Sequence, residues 1–218
     1  VESFLQFAWQ NLPSLLKATE YTLLIWIVSV VFGFFFGWLL ALGRYYGHRS
    51  IKIASVAYIE LFRGTPMLVQ LFVVYMGLPH IGLVFSPNWA AIIAIGLNTA
   101  AYQAEYFRGG FKAIKSGQME SARAIGMKRI KAIRYIIMPQ AFRIALPQWS
   151  NELILELKYT SIAFTVGAQE LMGQAKIIGS NTFQYFQIFL VAAIIYLVLV
   201  GMVTLLLDQV EHRYALIQ

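Results

Sequence analysis

Charged residues divide the chain into long apolar runs. Glu20 and Arg44 bracket an uncharged stretch at 21–43, long enough for a transmembrane helix, which needs about 20 apolar residues. Gly33, Gly37 and Gly43 within it permit close approach of a second helix. After Lys52 the sequence turns apolar again, although Glu60 and Arg63 fall inside this second span. Residues 64–104 carry no charge. That run is too long for one helix, and Gly77, Pro79, Gly82 and Pro87 interrupt it. The pattern predicts a second helix ending near Gly77, an outer loop, and a third helix over about 89–107. The stretch 108–134 is too basic to enter the membrane. A fourth span starts near Ile136 and carries Arg143, Asn151, Glu152, Glu156 and Lys158. The last lies between Lys176 and Asp208, at about 187–207. Residues 1–18 read as an interfacial helix, with Phe4, Phe7 and Trp9 suited to the headgroup zone. No basic leader, apolar core and small-residue cleavage site precede it, so a secretory signal is not expected.

Composition agrees with a bilayer as the solvent. Of 218 residues, 59% are hydrophobic and 12% charged, about half the charge of an ordinary soluble domain. Disorder is excluded by the same balance. The chain has no cysteine, which removes disulfides, iron–sulfur clusters and thiolate metal sites. The net charge of +7 matters through its placement. Arg44, Arg49 and Lys52 follow the first span, and eight Lys/Arg residues from Arg108 to Arg134 follow the third. The opposite side has none between Leu78 and Asn88. Positive-inside logic predicts five spans, with the N-terminus outside and the C-terminus cytoplasmic. The expected fold is an all-α integral membrane protein formed as one domain over 1–218.

The segment 116–127 stands apart from the spans. Ser116 is placed to cap a short helix, Glu120 puts negative charge in its first turn, and Gly126 is a natural stop. Met119, Ala122 and Ile125 fall at i, i+3 and i+6, forming an apolar ridge. Lys128, Arg129, Lys131 and Arg134 would hold the piece at an anionic surface. On these properties alone, a plain amphipathic surface helix explains the segment as well as a docking helix does.

Spacing adds a resemblance. Glu120-Ser121-Ala122, Gly126, Ile136 and Pro139 resemble the EAA loop of ATP-binding-cassette (ABC) importer permeases, with Ser121 in place of an alanine. The run Arg-Gly-Thr-Pro-Met-Leu-Val-Gln at 63–70 and the run Ala-Tyr-Gln-Ala-Glu-Tyr-Phe-Arg-Gly-Gly at 101–110 resemble the polar amino-acid subfamily. So do Pro-Gln-Ala-Phe-Arg at 139–143, Leu146-Pro147, Asn151-Glu152 and Lys-Tyr-Thr-Ser at 158–161. Together they cover about 19–213, the expected permease core. The resemblance implies a type I importer permease with a cytoplasmic coupling helix at 116–127, offering Met119, Glu120, Ala122, Arg123, Ile125 and Gly126 to a separate ATPase. It implies an ABC ATPase dimer, a second permease subunit, an extracytoplasmic amino-acid-binding protein and a prokaryotic inner membrane as the setting. No Walker-type phosphate loop occurs in the sequence, so ATP and Mg would be bound by the ATPase partner, and no cofactor or nucleic acid is expected on this chain.

Charges inside spans cost about 2.5 to 3.5 kcal/mol each if they face lipid. Glu60 and Arg63 sit three apart and read as a self-neutralising pair. Pro66 removes a backbone donor in mid-span and frees carbonyls that must be buried or line a cavity. Thr65, Gln70 and Asn98 are therefore pathway candidates, with packed polar contacts between helices as the plainer alternative. Glu152 and Glu156 repel at i, i+4 unless a cation sits near them. Lys158 or Arg143 is the plain source of that cation; the sharper reading has Glu152, with Asn151 beside it, facing the cavity and meeting the α-ammonium or a basic side chain of the substrate. The resemblance favours Glu152 over Glu156. On substrate, cationic amino acids stand against Gln, Glu and Asp.

Two other classes compete. A membrane enzyme would need a base or nucleophile set, yet His48, His80 and His212 form no metalloprotease motif and no metal or catalytic residue is expected. A lone channel or secondary transporter often carries internal repeats, and none is evident.

Overall fold

In the computed structural model, residues 4–214 are described, and every regular element among them is helical. Residues 1–3 of the expected interfacial segment and residues 215–218 lie outside the described residues. Helix α1 (Phe4–Tyr46) is followed by α2 (Arg49–Gly64), α3 (Met67–Phe72), α4 (Pro87–Ala113), α5 (Gly117–Ala124) and α6 (Arg129–Ala132). Then come α7 (Met138–Tyr159), α8 (Leu171–Thr182) and α9 (Tyr185–Tyr214). By length and composition α1 and α9 suffice to cross a membrane, and α2 with α3 forms a third candidate bent by 105°. Helices α4 and α7, at 27 and 22 residues, are about 40 and 33 Å long. They are long enough for a hydrocarbon core of about 30 Å, but more polar.

The separate interfacial helix is not seen. The helix runs unbroken from Phe4 through Pro13 into the first span, and its 43 residues extend about 65 Å, more than a bilayer with headgroups. Phe7 explains the continuity. It is buried with Leu15 against Leu171, Ala175 and Ile188, while Trp9 stays exposed. Other limits move outward: α4 runs past Phe107 to Ala113, and α9 covers 185–214. Helix α8 was not anticipated, because no apolar run announces it. It is fixed instead by Glu170, whose carboxylate accepts from the amides of Met172 and Gly173 and from the Tyr196 hydroxyl. The Leu171 amide donates to Thr22 Oγ1. One buried acid thus ties α1, α8 and α9 together.

Prolines shape the remaining irregularities. The widened π-turns at Val73–Gly77 and Ile133–Ile137 are centred on Tyr75 and Tyr135, each four residues before a proline (Pro79 and Pro139). Proline has no N–H to donate to that carbonyl and its ring crowds it, so the turn widens to pass it. Small residues govern the packing. Gly33 and Gly37 of α1 face α4, where a Cβ at Gly37 would meet the Ala100 carbonyl at 3.0 Å. Gly110 of α4 lies directly on the Ala141 carbonyl of α7. Between these helices an aromatic cluster of Phe34, Trp38, Phe107, Phe142 and Trp149 fills the core.

Candidate translocation pathway and coupling surface

The second span breaks where Pro66 requires. Thr65 and Pro66 are extended, with φ/ψ of −117/144 and −63/137, and the helix restarts in a new direction. The freed carbonyls are taken up by side chains. Gln70 Nε2 donates to Phe62 O at 2.7 Å, Thr65 O at 3.0 Å and Thr65 Oγ1 at 2.8 Å. Asn98 Nδ2 donates to Gln70 Oε1 at 3.0 Å and Phe62 O at 3.2 Å. Thr65, Gln70 and Asn98 are thus brought together as a splint across the break, with Gln70 and Asn98 both buried. An apolar cavity of about 320 Å³, lined by Phe62, Thr65, Gln70 and Leu97 among others, opens beside it.

Glu152, on α7, meets α4 at a different point. Tyr106 OH donates to Glu152 Oε2 at 2.8 Å, and Tyr106 lies eight residues, about 12 Å, beyond Asn98 on α4. Between them Tyr102 carries the Arg63 guanidinium over its ring at 5.3 Å. Asn98, Tyr102, Glu105 and Tyr106 therefore form a polar stripe along α4, running from the break to Glu152. Glu152 is 5% exposed, and among the described residues it makes no ion pair; neither Lys158 nor Arg143 supplies one. Asn151, Gln148 and Lys158 are exposed on the outer side of α7. Glu156 points inward instead, buried beside Thr99 and Gln103 without a hydrogen bond of good geometry to either.

The expected Glu60–Arg63 pair does not form. Glu60 meets Arg44 at 3.5 Å, and Arg63 turns to Glu105 at 3.7 Å. Glu105 is the hub, since Arg44 reaches Oε1 at 2.8 Å and Arg108 grips the carboxylate with Nε and Nη2. Spacing along one helix cannot reveal partners on two others. For the same reason the sequence marks Glu105 only as a charge that must find a partner and does not mark Tyr106, although both lie inside the 101–110 motif.

The segment 116–127 does contain a short helix, with different limits. Helix α5 spans Gly117–Ala124, and Ser116 makes no side-chain cap. Gly126, at φ +86, closes it in the left-handed conformation. The Met127 amide bonds Ala122 O at 3.0 Å and the Gly126 amide bonds Arg123 O at 3.0 Å, the paired bonds of a Schellman stop. Because the helix ends at Ala124, the expected apolar ridge splits. Ala122 is buried and Met119 packs into the aromatic cluster, while Ile125 is 79% exposed. Glu120 and Arg123 are exposed too. One face anchors the helix and the other is presented outward.

Residues 33–216 match the family described as binding-protein-dependent transport system inner membrane component. The chain belongs to that family. Among its relatives, the probable amino-acid ABC transporter permease YckA of Bacillus subtilis is 36% identical over 96% of this chain and 93% of its own length. The arginine transport system permease ArtQ of the same organism is 36% identical over 93% of each. A solved amino acid ABC transporter with histidines superposes with a TM-score of 0.89 at 36% identity, covering 98% of this chain and 99% of that one. This inner membrane component therefore has the all-helical fold of the ABC importer permeases, as its sequence led us to expect.

Proposed function

We propose that the chain is the membrane-spanning permease subunit of an ATP-driven, binding-protein-dependent importer of polar amino acids. The carrying observation is the exposed face of α5. A short helix, ended by a Schellman stop and anchored by Met119 and Ala122, presents Glu120, Arg123 and Ile125 to a partner. Its anchor leads to the π-turn and then into α7, so displacement of α5 would be transmitted along the helix that carries Glu152. ATP and Mg belong to the partner ATPase, which closes below and favours an outward-open pathway above through a difference in binding free energy between the two states.

Five spans run from an N-terminus outside to a C-terminus inside, with α5 in the cytoplasm. A second permease subunit, identical or paralogous, completes the pathway. The exposed polar positions of α7 support this, since Gln148, Asn151 and Lys158 are unsuited to lipid. Up to residue 206 the exposed residues of α9 are apolar, among them Leu197, Met202, Leu205 and Leu206. Glu152 keeps its second carboxylate oxygen for the substrate, where it would meet a basic side chain. That arrangement favours cationic amino acids over Gln, Glu and Asp, in keeping with the arginine system among the relatives.

Copurification with candidate ATPases and ATP-driven uptake in proteoliposomes test the reading. Glu120→Lys and Gly126→Pro should abolish coupling while the chain still inserts. Transport that persists without any ATPase, or a reporter at Gln218 found outside, would refute it.

A further inference from the structure

Beside the aromatic core, between α1 and the start of α7, lies a groove of about 520 Å³. Phe34, Phe35, Trp38, Leu39 and Phe142 wall it, and Arg134 stands among its lining residues. Phe35 and Leu39 are 65% and 64% exposed, so the groove opens on the outer side of α1. Its floor is stiff: the Phe34 ring packs edge-on against Phe107, Phe142 and Trp149 at 5.5, 6.0 and 5.6 Å. A second groove of about 390 Å³ shares Leu42 with the first and has Arg129 in its lining.

The charge here is one-sided. Between Glu120 and Glu152 the chain holds Arg123, Lys128, Arg129, Lys131, Arg134 and Arg143 and no acid. Arg134 forms no ion pair among the described residues; its guanidinium lies over the Tyr135 ring at 5.6 Å. The π-turn forced by Pro139 sets this arginine at the boundary where apolar wall meets basic segment. An apolar slot beside an unneutralised cation matches an acyl chain joined to a phosphate, and the second slot gives room for a second chain. Basic pockets between membrane helices select anionic headgroups on these terms. We propose that this groove is a binding site for an anionic diacyl phospholipid, its phosphate at Arg134 and a chain along Phe35 and Leu39. A lipid there would brace the joint from which the coupling helix hangs.

The test uses the assembled importer, reconstituted in equal phosphatidylglycerol and phosphatidylcholine of matched chains, extracted and weighed by non-denaturing mass spectrometry. Phosphatidylglycerol should be retained at least about fivefold over phosphatidylcholine, the preference one interfacial cation confers. Arg134→Glu should erase that preference, Arg134→Lys should keep it, and Lys115→Glu, outside the groove, should leave it unchanged. Leu39→Trp, which fills the slot without touching charge, should remove the bound lipid itself. Equal retention of both lipids by the unaltered protein would overturn the proposal. So would Arg134→Glu and Leu39→Trp proteins that behave like it, or lipid retained by the isolated permease and absent from the assembled importer.

Discussion

Glu152, the acid placed on the proposed pathway, is buried with one oxygen engaged. One oxygen is held by the Tyr106 hydroxyl at 2.8 Å, which fixes the rotamer, and no lysine or arginine closes on the other within ion-pair distance among the described residues. Removing the phenol in Tyr106→Phe leaves the carboxylate unheld. A hydrogen bond to a charged group contributes about 1.5–3 kcal/mol, so the substrate concentration for half-maximal uptake should rise about tenfold or more. The maximal rate should change little, because the tyrosine positions the acid and does not itself move. Glu152→Gln should go further and erase any preference for cationic over neutral amino acids. Uptake with unchanged affinity and selectivity in both variants would remove this carboxylate from the pathway.

At the scale of elements, the break in the second span and the stop of α5 are the two places where the proposed transport role rests on backbone geometry. Gln70 satisfies two carbonyls across the break. Gln70→Leu leaves Phe62 O without its shorter bond and Thr65 O unmet, at a cost of about 1–3 kcal/mol, visible as a lower melting temperature in detergent. Gly110→Ala forces a methyl into the Ala141 carbonyl and should wedge α4 from α7 at a similar cost of about 1–3 kcal/mol. Gly126→Ala has open space around it but must hold φ +86, which costs an alanine about 1–2 kcal/mol. Its effect should be local: melting nearly unchanged, ATP-driven uptake reduced. If Gly126→Ala melts early while coupling normally, the stop is merely structural. These elements differ in how far the sequence announces them. The α5 stop, the Pro66 break and the spans are written in local signals, namely a glycine, a proline and uncharged length. The Glu105 hub and the Tyr106–Glu152 bond are not, since each depends on partners brought from other helices; helix α8 has a local cap in Glu170, but Thr22 and Tyr196 come from α1 and α9. The same limit explains Glu60 and Arg63, whose i, i+3 spacing is satisfied equally well by two separate partners.

Across the whole molecule the surface divides by chemistry. The outer sides of α1 and α9 present Phe35, Leu39, Leu197, Val198 and Leu205, a skin suited to acyl chains. The outer side of α7 presents Gln148, Asn151 and Lys158, which lipid would penalise. If that face lines the pathway with a second subunit, it meets water in at least one state of the transport cycle, whereas α9 never does. The chain contains no cysteine, so single thiols can report on this without background. In the assembled importer, a membrane-impermeant maleimide should label Asn151→Cys and leave Leu197→Cys unmodified. Adding ATP and the binding protein should change the labelling rate at 151 as the pathway alternates, with 197 as the constant reference. Labelling at 197 that equals or exceeds 151, or a rate at 151 indifferent to nucleotide, would place the polar face elsewhere than on a moving aqueous route.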